Sequence, residues 1–252
     1  MNGAIALTAK GIALTIGGAT ILDEVSLDVS AGELIGVIGP NGAGKTTLFN
    51  VLSGIVMPTA GQVLLGGQDV TARSIVDRAR AGLGRSFQTS NLFAQLTVLE
   101  NVRIAAQAAR GHSLSLRFRP RRDDEATRTA LLRLAEVGLA DRADTVAHEL
   151  AHGEQRKVEI AMLLARDPSV ILLDEPMAGV ATGDVAGLVE LIRFVHRELG
   201  RTVLMVEHHL DVVLGLADRV AVLHHGRLLA CATPAEVMAD PAVQTAYLGR
   251  AA

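Results

Sequence analysis

The chain has 252 residues, 49% hydrophobic and 20% charged, with a formal net charge of −3 at neutral pH. This balance fits an ordinary α/β protein with one large core, or a core carrying an inserted subdomain, and argues against a phosphate-coating nucleic-acid binder. A single cysteine, Cys231, excludes an internal disulfide framework, and an aromatic content of 2% leaves no base-stacking platform. No apolar run approaches the roughly 18 residues needed to cross a bilayer. The first ten residues carry no basic leader, and Lys10 interrupts their apolar stretch, so no secretory signal is expected.

Residues 4–38 alternate apolar and polar in short runs: Ile5/Leu7, Ile12/Leu14/Ile16, Ile21, and Val25/Leu27/Val29. Gly11, Gly17, Gly18 and Gly32 punctuate them, which predicts a set of half-buried antiparallel strands. Residues 34–38 form a buried strand that enters a glycine loop. A helix over 46–52 and short strands around 63–65 follow. Helical periodicity dominates 96–165. There Thr97 and Glu100 have the spacing of a capping box. Asp123 and Asp124 open another helix whose apolar face includes Leu131, Leu134 and Val137, before Gly138 ends it. The apolar runs 170–173, 203–206 and 220–223 predict parallel strands buried on both faces. Thr233 and Pro234 open a final helix, with proline at its first position.

The strongest signal is Gly39-Pro40-Asn41-Gly42-Ala43-Gly44-Lys45-Thr46, which fits G-x-x-x-x-G-K-[ST] between a strand and a helix. At this chain's residue frequencies about 0.003 chance matches are expected, so the run is no accident. Glycines let backbone N–H groups approach phosphate oxygens where a Cβ would block them, and the helix start adds its dipole. Lys45, one of only three lysines beside 21 arginines, supplies a point charge to the β- and γ-phosphates. Thr46 offers a hydroxyl to Mg²⁺, and Thr47 continues the cradle. Downstream, the run Val170, Ile171, Leu172, Leu173 ends in Asp174 and Glu175. Asp174 would enter the Mg²⁺ shell, and Glu175 would polarise an attacking water.

Between these elements lies Leu150-Ala151-His152-Gly153-Glu154-Gln155, followed by Asp167 and Pro168. This order resembles the ATP-binding-cassette (ABC) ATPases, whose signature loop precedes the second acidic motif. The resemblance spans the chain. It implies a P-loop NTPase (RecA-like) α/β core with an N-terminal antiparallel β subdomain and an inserted α-helical subdomain. The expected division is a core of 1–88 and 166–252, with the helical signature subdomain at 89–165. Gln88, within Arg85-Ser86-Phe87-Gln88-Thr89, occupies the Q-loop place, a metal and catalytic position. His208 occupies that of the switch histidine, and Ala178-Gly179-Val180 that of the D-loop. The signature residues Ala151, Gly153 and Gln155, at the start of a helix over 156–165, would grip the γ-phosphate of a second cassette. Two cassettes then pair head to tail around ATP, as homodimer or heterodimer.

Within that family the chain looks most like ATPase subunits of branched-chain amino-acid importers. Asn91 to Val102, Gly138 to Ala143, Val206 to Val213 and Ala246 to Gly249 carry this likeness. Urea and lipopolysaccharide-export branches are similar alternatives. The implied partners are permease subunits and, indirectly, a solute-binding protein, at the cytoplasmic face of the membrane, with no nucleic acid. A non-transport cassette protein or a phosphotransferase is the rival reading. The chain shows neither the second cassette nor the long insert of the first, and Glu175 beside Asp174 favours water over the second.

Several expectations depart from that pattern. The family places an aromatic near Ile16 to stack on adenine, and none precedes Phe49 here. Its signature carries Ser where Ala151 stands, so a γ-phosphate hydrogen bond would be missing. The basic run Arg117, Arg119, Arg121 and Arg122 reads as a solvated loop or a contact with anionic lipid. Phe87, Leu92 and Phe93 suggest a groove for a permease helix. The histidine pairs 208/209 and 224/225, taken as strand neighbours on opposite faces, make no metal site.

Overall fold

The short apolar runs at the start of the chain merge into two long strands, β1 (Ile5–Ile16) and β2 (Ala19–Ser30). They are joined by Gly17 and Gly18, whose φ of 57° and 84° supply the backbone that a two-residue turn between right-twisted strands requires. Gly11 does not end a strand. It lies in a register shift between Ala9 and Ile12, and this bulge slips the alternation by one residue. Leu7 and Ala9 before it and Ile12 and Leu14 after it therefore all face inward.

The computed structural model describes residues 3–86, 92–110 and 124–248. After β2 come β3 (Leu34–Ile38), α1 (Lys45–Ser53), β4 (Ala60–Leu65), β5 (Gln68–Asp69), α2 (Ile75–Arg80) and β6 (Leu83–Arg85). Three helices follow: α3 (Val98–Ala109), α4 (Glu125–Glu136) and α5 (His152–Leu164). The chain then alternates β7 (Val170–Asp174), α6 (Thr182–Arg197), β8 (Thr202–Val206), α7 (Leu210–Leu216) and β9 (Arg219–His224). It closes with β10 (Arg227–Ala232), α8 (Pro234–Ala239) and the short helical segments Pro241–Val243 and Gln244–Leu248. The helix opened by Thr233 and Pro234 is thus not the last: Asp240 caps a further turn through the N–H of Ala242. No helix among the described residues is long and apolar enough to cross a membrane.

Two compact units emerge. The first comprises Met1–Arg85, Ser169–Glu175 and Arg193–Ala252. It holds an antiparallel sheet ordered β2-β1-β4-β5 and a six-stranded sheet ordered β10-β9-β3-β8-β7-β6, parallel except for its edge strand β10. Every residue of β3, β7 and β8 is buried, which explains their unbroken apolar runs. One apolar cluster joins the inner face of the first sheet (Leu7, Ile12, Leu22), α1 (Phe49, Leu52) and the second sheet (Val37, Leu172, Val206). Truncating Phe49, fully buried there, would cost about 3–5 kcal/mol.

The second unit comprises Ser86–Pro168 and Pro176–Ile192. Its α3 starts with the expected capping box: Thr97 Oγ1 accepts from Glu100 N, and Glu100 Oε2 accepts from Thr97 N. Buried Asn101 brackets the preceding loop by bonding both N–H and carbonyl of Phe93. In α4 the buried stripe is Ala126, Ala130 and Leu134, spaced by four, capped by Asp124. Leu131, expected in that stripe, is exposed because it stands a quarter-turn away from Ala130.

The last turn of α6 buries His196, whose Nε2 lies 3.1 Å from Asp218 Oδ2. Asp218 also accepts from Leu34 N and pairs with Arg197. Burial holds the imidazole below its usual value of 6.5, outweighing the pull of Asp218. A lowered folded-state value favours the neutral ring, so its contribution is complete above pH 6.5 and is lost as pH falls through the folded-state value. Urea midpoints should therefore decline on acidification below pH 6.5, and His196→Gln should flatten that decline. An unchanged slope in the variant would assign the decline to other groups.

Candidate functional site

β3 delivers the chain to Gly39 at the carboxyl end of a parallel sheet, where such sheets open a crevice. A Cβ on Gly39 would lie 2.2 Å from the carbonyl oxygen of Leu223, so only glycine fits there. The loop is held by Ala43 N donating to Pro40 O at 3.1 Å and by Gly226 N donating to Ala43 O at 3.0 Å. Gly42 and Gly44 have φ of 80° and 101°. Gly44 is the N-cap of α1, and no side chain caps it. The first N–H groups of a helix have no partner within it, so with the positive helix end they form an anion-binding set.

Lys45 is 6% exposed. Its Nζ donates to Gly39 O at 2.7 Å and Pro40 O at 3.1 Å, crossing the loop it belongs to. Burial lowers its ammonium below the usual lysine range, and the Glu175 carboxylate opposes this. A cleft of about 320 Å³ is lined by Ile21, residues 41–47, Glu175 and His208. That is within the usual range of small-molecule sites, at its low end.

At the end of β7 Asp174 is 2% exposed. Arg85 Nη2 donates to its Oδ2 at 2.8 Å, while Arg85 Nη1 donates to Ser53 Oγ at 2.6 Å. Burial raises the Asp174 carboxyl above the usual range, and the guanidinium of Arg85 pulls it back down. Glu175 takes a left-handed backbone, φ 49°, fixed by its N–H donating to Val206 O at 2.9 Å. Such strain costs on the order of 1–3 kcal/mol and gathers at functional sites. His208 Nε2 meets Glu175 Oε1 at 2.9 Å. Buried Glu207 accepts from His208 N and His209 N and meets His209 Nδ1, so it sets the turn that presents His208. The cleft thus gathers a glycine loop opening a helix, a lysine, a hydroxyl at Thr46, and a carboxylate in contact with an imidazole. Thr46 and Asp174 offer hard oxygen donors, which fit Mg²⁺.

In the second unit α5 begins at His152, four residues before the expected start. No proline stands in 152–155, and Glu154 Oε2 accepts from Ala151 N at 3.2 Å, one arm of a capping box. Ala151 is the N-cap and brings no side-chain acceptor of its own. Gly153 therefore lies in the first turn, and its Cβ would come 2.9 Å from Asp184 Cβ. Gln155 Nε2 donates to Leu150 O at 3.0 Å.

Gln88, Phe87 and the arginines 117, 119, 121 and 122 lie outside the described residues. Phe93 is exposed and Leu92 half-buried. The histidine pairs are not strand neighbours. His209 is the N-cap of α7, and His225 sits in a turn with φ 48°, its ring 4.1 Å from that of His224. Among the described residues no three His, Cys, Asp or Glu converge as metal ligands. Sequence reasoning gave no site role to Arg85, Glu207 or Gly226. Arginine and glutamate at strand ends usually read as solvated, and only the paired β6, β7 and β8 show them turned inward.

A family model, ABC transporter, matches residues 22–178, and a second, Branched-chain amino acid ATP-binding cassette transporter, matches 227–252. The high-affinity branched-chain amino acid transport ATP-binding protein LivG of Escherichia coli K12 is 37% identical over 250 residues, covering 97% of this chain and 98% of that one. The lipopolysaccharide export system ATP-binding protein LptB of Acidithiobacillus ferridurans is 38% identical over 229 residues, covering 91% and 90%. Among solved structures, the ADP conformation of MJ1267, an ATP-binding cassette of an ABC transporter, superposes with a TM-score of 0.85 at 30% identity, covering 98% and 99%. A dimeric structure of the cassette MJ0796 bound to ADP and phosphate gives 0.76 at 26% identity, covering 90% and 98%. With its phosphate cradle and acidic strand end in the family's order, the chain belongs to the ATP-binding cassettes of ABC transporters and is an ATPase of that family.

Proposed function

We propose that this ATPase drives uptake of branched-chain amino acids through a separate permease fed by a solute-binding protein, at the cytoplasmic face of the membrane. The observation that carries the substrate is the match of residues 227–252 to the branched-chain cassette model, beside nearly full-length likeness to LivG. In a cell lacking the chain, uptake of labelled leucine should fall and return with the wild-type gene but not with Lys45→Ala. Uptake unchanged, with lipopolysaccharide export lost, would favour the second reading, which rests on the comparable identity to LptB.

In the proposed mechanism Lys45 and the N–H groups of the loop and first α1 turn hold the phosphates. Thr46 and Asp174, with Gln88, would hold Mg²⁺, a cation that would supply positive charge against the charge developing on the phosphates. The Glu175 carboxylate orients a water and takes its proton as the water oxygen bonds to the γ-phosphorus and the bond from that phosphorus to the bridging oxygen breaks, releasing ADP and phosphate. His208, bonded to that carboxylate, holds it toward the γ-phosphate. A second cassette, identical or paralogous, brings its Ala151, Gly153 and Gln155 to complete the site.

The base meets little that can read it. Ile16, where the family's aromatic would stand, is 57% exposed, and Ile21 is an aliphatic side chain lining the cleft. Aliphatic contact replaces stacking worth roughly 1–3 kcal/mol per base, and neither side chain reads a base edge. Half-saturating ATP and GTP should differ less than about fivefold, or about 1 kcal/mol. A preference for ATP of a hundredfold would show that another residue covers the base.

A further inference from the structure

Buried ion pairs return little net stability, because desolvation cancels much of the attraction, so the Arg85–Asp174 pair is poorly explained by folding alone. Its geometry is more specific than charge neutralisation needs. Arg85 ends β6 with its side chain 7% exposed and spends its planar fork on two targets. Nη2 holds Asp174 Oδ2 at 2.8 Å, and Nη1 holds Ser53 Oγ at 2.6 Å. Ser53 closes α1 and anchors back to it, its Oγ donating to Phe49 O at 2.7 Å. The guanidinium carbon lies 5.9 Å from the Phe49 ring centroid. Arg85 is therefore locked to the last turns of the helix whose first residues are Lys45 and Thr46. A bond to Oδ2 also fixes the plane of the Asp174 carboxylate, and with it the direction of Oδ1.

We infer that Arg85 is a positioning residue for the metal: through α1 and Ser53 it aims the Asp174 carboxylate so that Asp174 and Thr46 keep a common geometry toward the divalent cation. This rests on the reading of Asp174 as a metal-shell residue. A lysine cannot replace Arg85, because one ammonium lacks the rigid fork that reaches two acceptors at once.

The test titrates Mn²⁺ into the full chain with saturating ADP, following free Mn²⁺ by electron paramagnetic resonance, and measures ADP affinity in excess chelator separately. Arg85→Met should raise half-saturating Mn²⁺ by about tenfold or more, the worth of one charge-assisted hydrogen bond, and leave metal-free ADP affinity within about twofold. Arg85→Lys should fall between it and the wild type, and Ser53→Ala, which keeps both charges, should raise half-saturation about threefold. Equal losses in the metal-free and metal-bound measurements would show a merely structural pair and overturn the inference. So would unchanged Mn²⁺ affinity in Arg85→Met while Asp174→Asn loses it. If Arg85→Met fails to fold, unchanged Mn²⁺ affinity in both Arg85→Lys and Ser53→Ala overturns it. Wild-type Mn²⁺ affinity in Asp174→Asn would instead remove the metal-shell reading itself, and the inference with it.

Discussion

Glu175→Gln should lower ATP turnover by roughly 10²–10⁴-fold, the usual worth of a positioned general base, while leaving ATP affinity near that of the wild type. The substitution changes almost nothing but charge and basicity. Residue 175 keeps its left-handed backbone because the bond from its N–H to Val206 O does not involve the side chain. The carboxamide still reaches His208 across the 2.9 Å now spanned by Oε1. Nucleotide contacts assigned to Lys45 and the loop are untouched. With hydrolysis blocked, ATP and Mg²⁺ should accumulate a species of twice the monomer mass on a sizing column, and Lys45→Ala in the same chain should abolish it. Wild-type turnover by a Glu175→Gln preparation free of contaminating ATPase would end the assignment of Glu175 as base.

Most of what this site needs is written in consecutive residues, and that part is legible in the sequence. A phosphate cradle must alternate close backbone approach with one cation, so Gly39, Gly42, Gly44 and Lys45 carry the message within seven positions. Asp174 stands out in the sequence because β7, a strand buried on both faces, runs into two consecutive carboxylates. What is not legible comes from long-range pairing. Arg85 meets Asp174 across 89 positions, and only the neighbouring of β6 and β7 aligns them. Gly226 supports Ala43 from the β9–β10 turn, a contact with no local signature. The bulge at Gly11 hides one long strand as two short ones, because a single inserted residue breaks the period of two without breaking the pairing. The start of α5 is misjudged for a different reason. Glu154 satisfies one end of a capping box whose other end, at Ala151, lacks the hydroxyl that would mark it.

Gly39→Ala should be far more damaging than Gly42→Ala, although both are glycines of the same loop. At Gly39 the added methyl would lie 2.2 Å from Leu223 O and 3.2 Å from Ala43 Cβ. Neither neighbour can yield cheaply. Leu223 belongs to β9, paired on one side with Leu228 of β10, while the adjacent Val222 pairs with Ile38 of β3. Ala43 is held by Pro40 O through its N–H and by Gly226 N through its carbonyl. The loop itself must therefore move, carrying away Gly39 O and Pro40 O, the two acceptors that now fix Lys45 Nζ. Overpacking of this kind costs about 1–3 kcal/mol, or roughly 2–10 °C of melting temperature in a chain of this size. Displacing the lysine and neighbouring N–H groups should weaken ATP by about a hundredfold, the worth of one or two charge-assisted hydrogen bonds. At Gly42 nothing lies within 4 Å of the added methyl, and the residue is exposed. Only its φ of 80° resists alanine, at about 1–2 kcal/mol, part of which an exposed loop can relax. Gly42→Ala should thus lose no more than about tenfold in ATP affinity. Calorimetric ATP titrations beside melting curves separate the two, and a Gly39→Ala chain that binds ATP like the wild type would mean the Leu223 carbonyl does not confine the cradle.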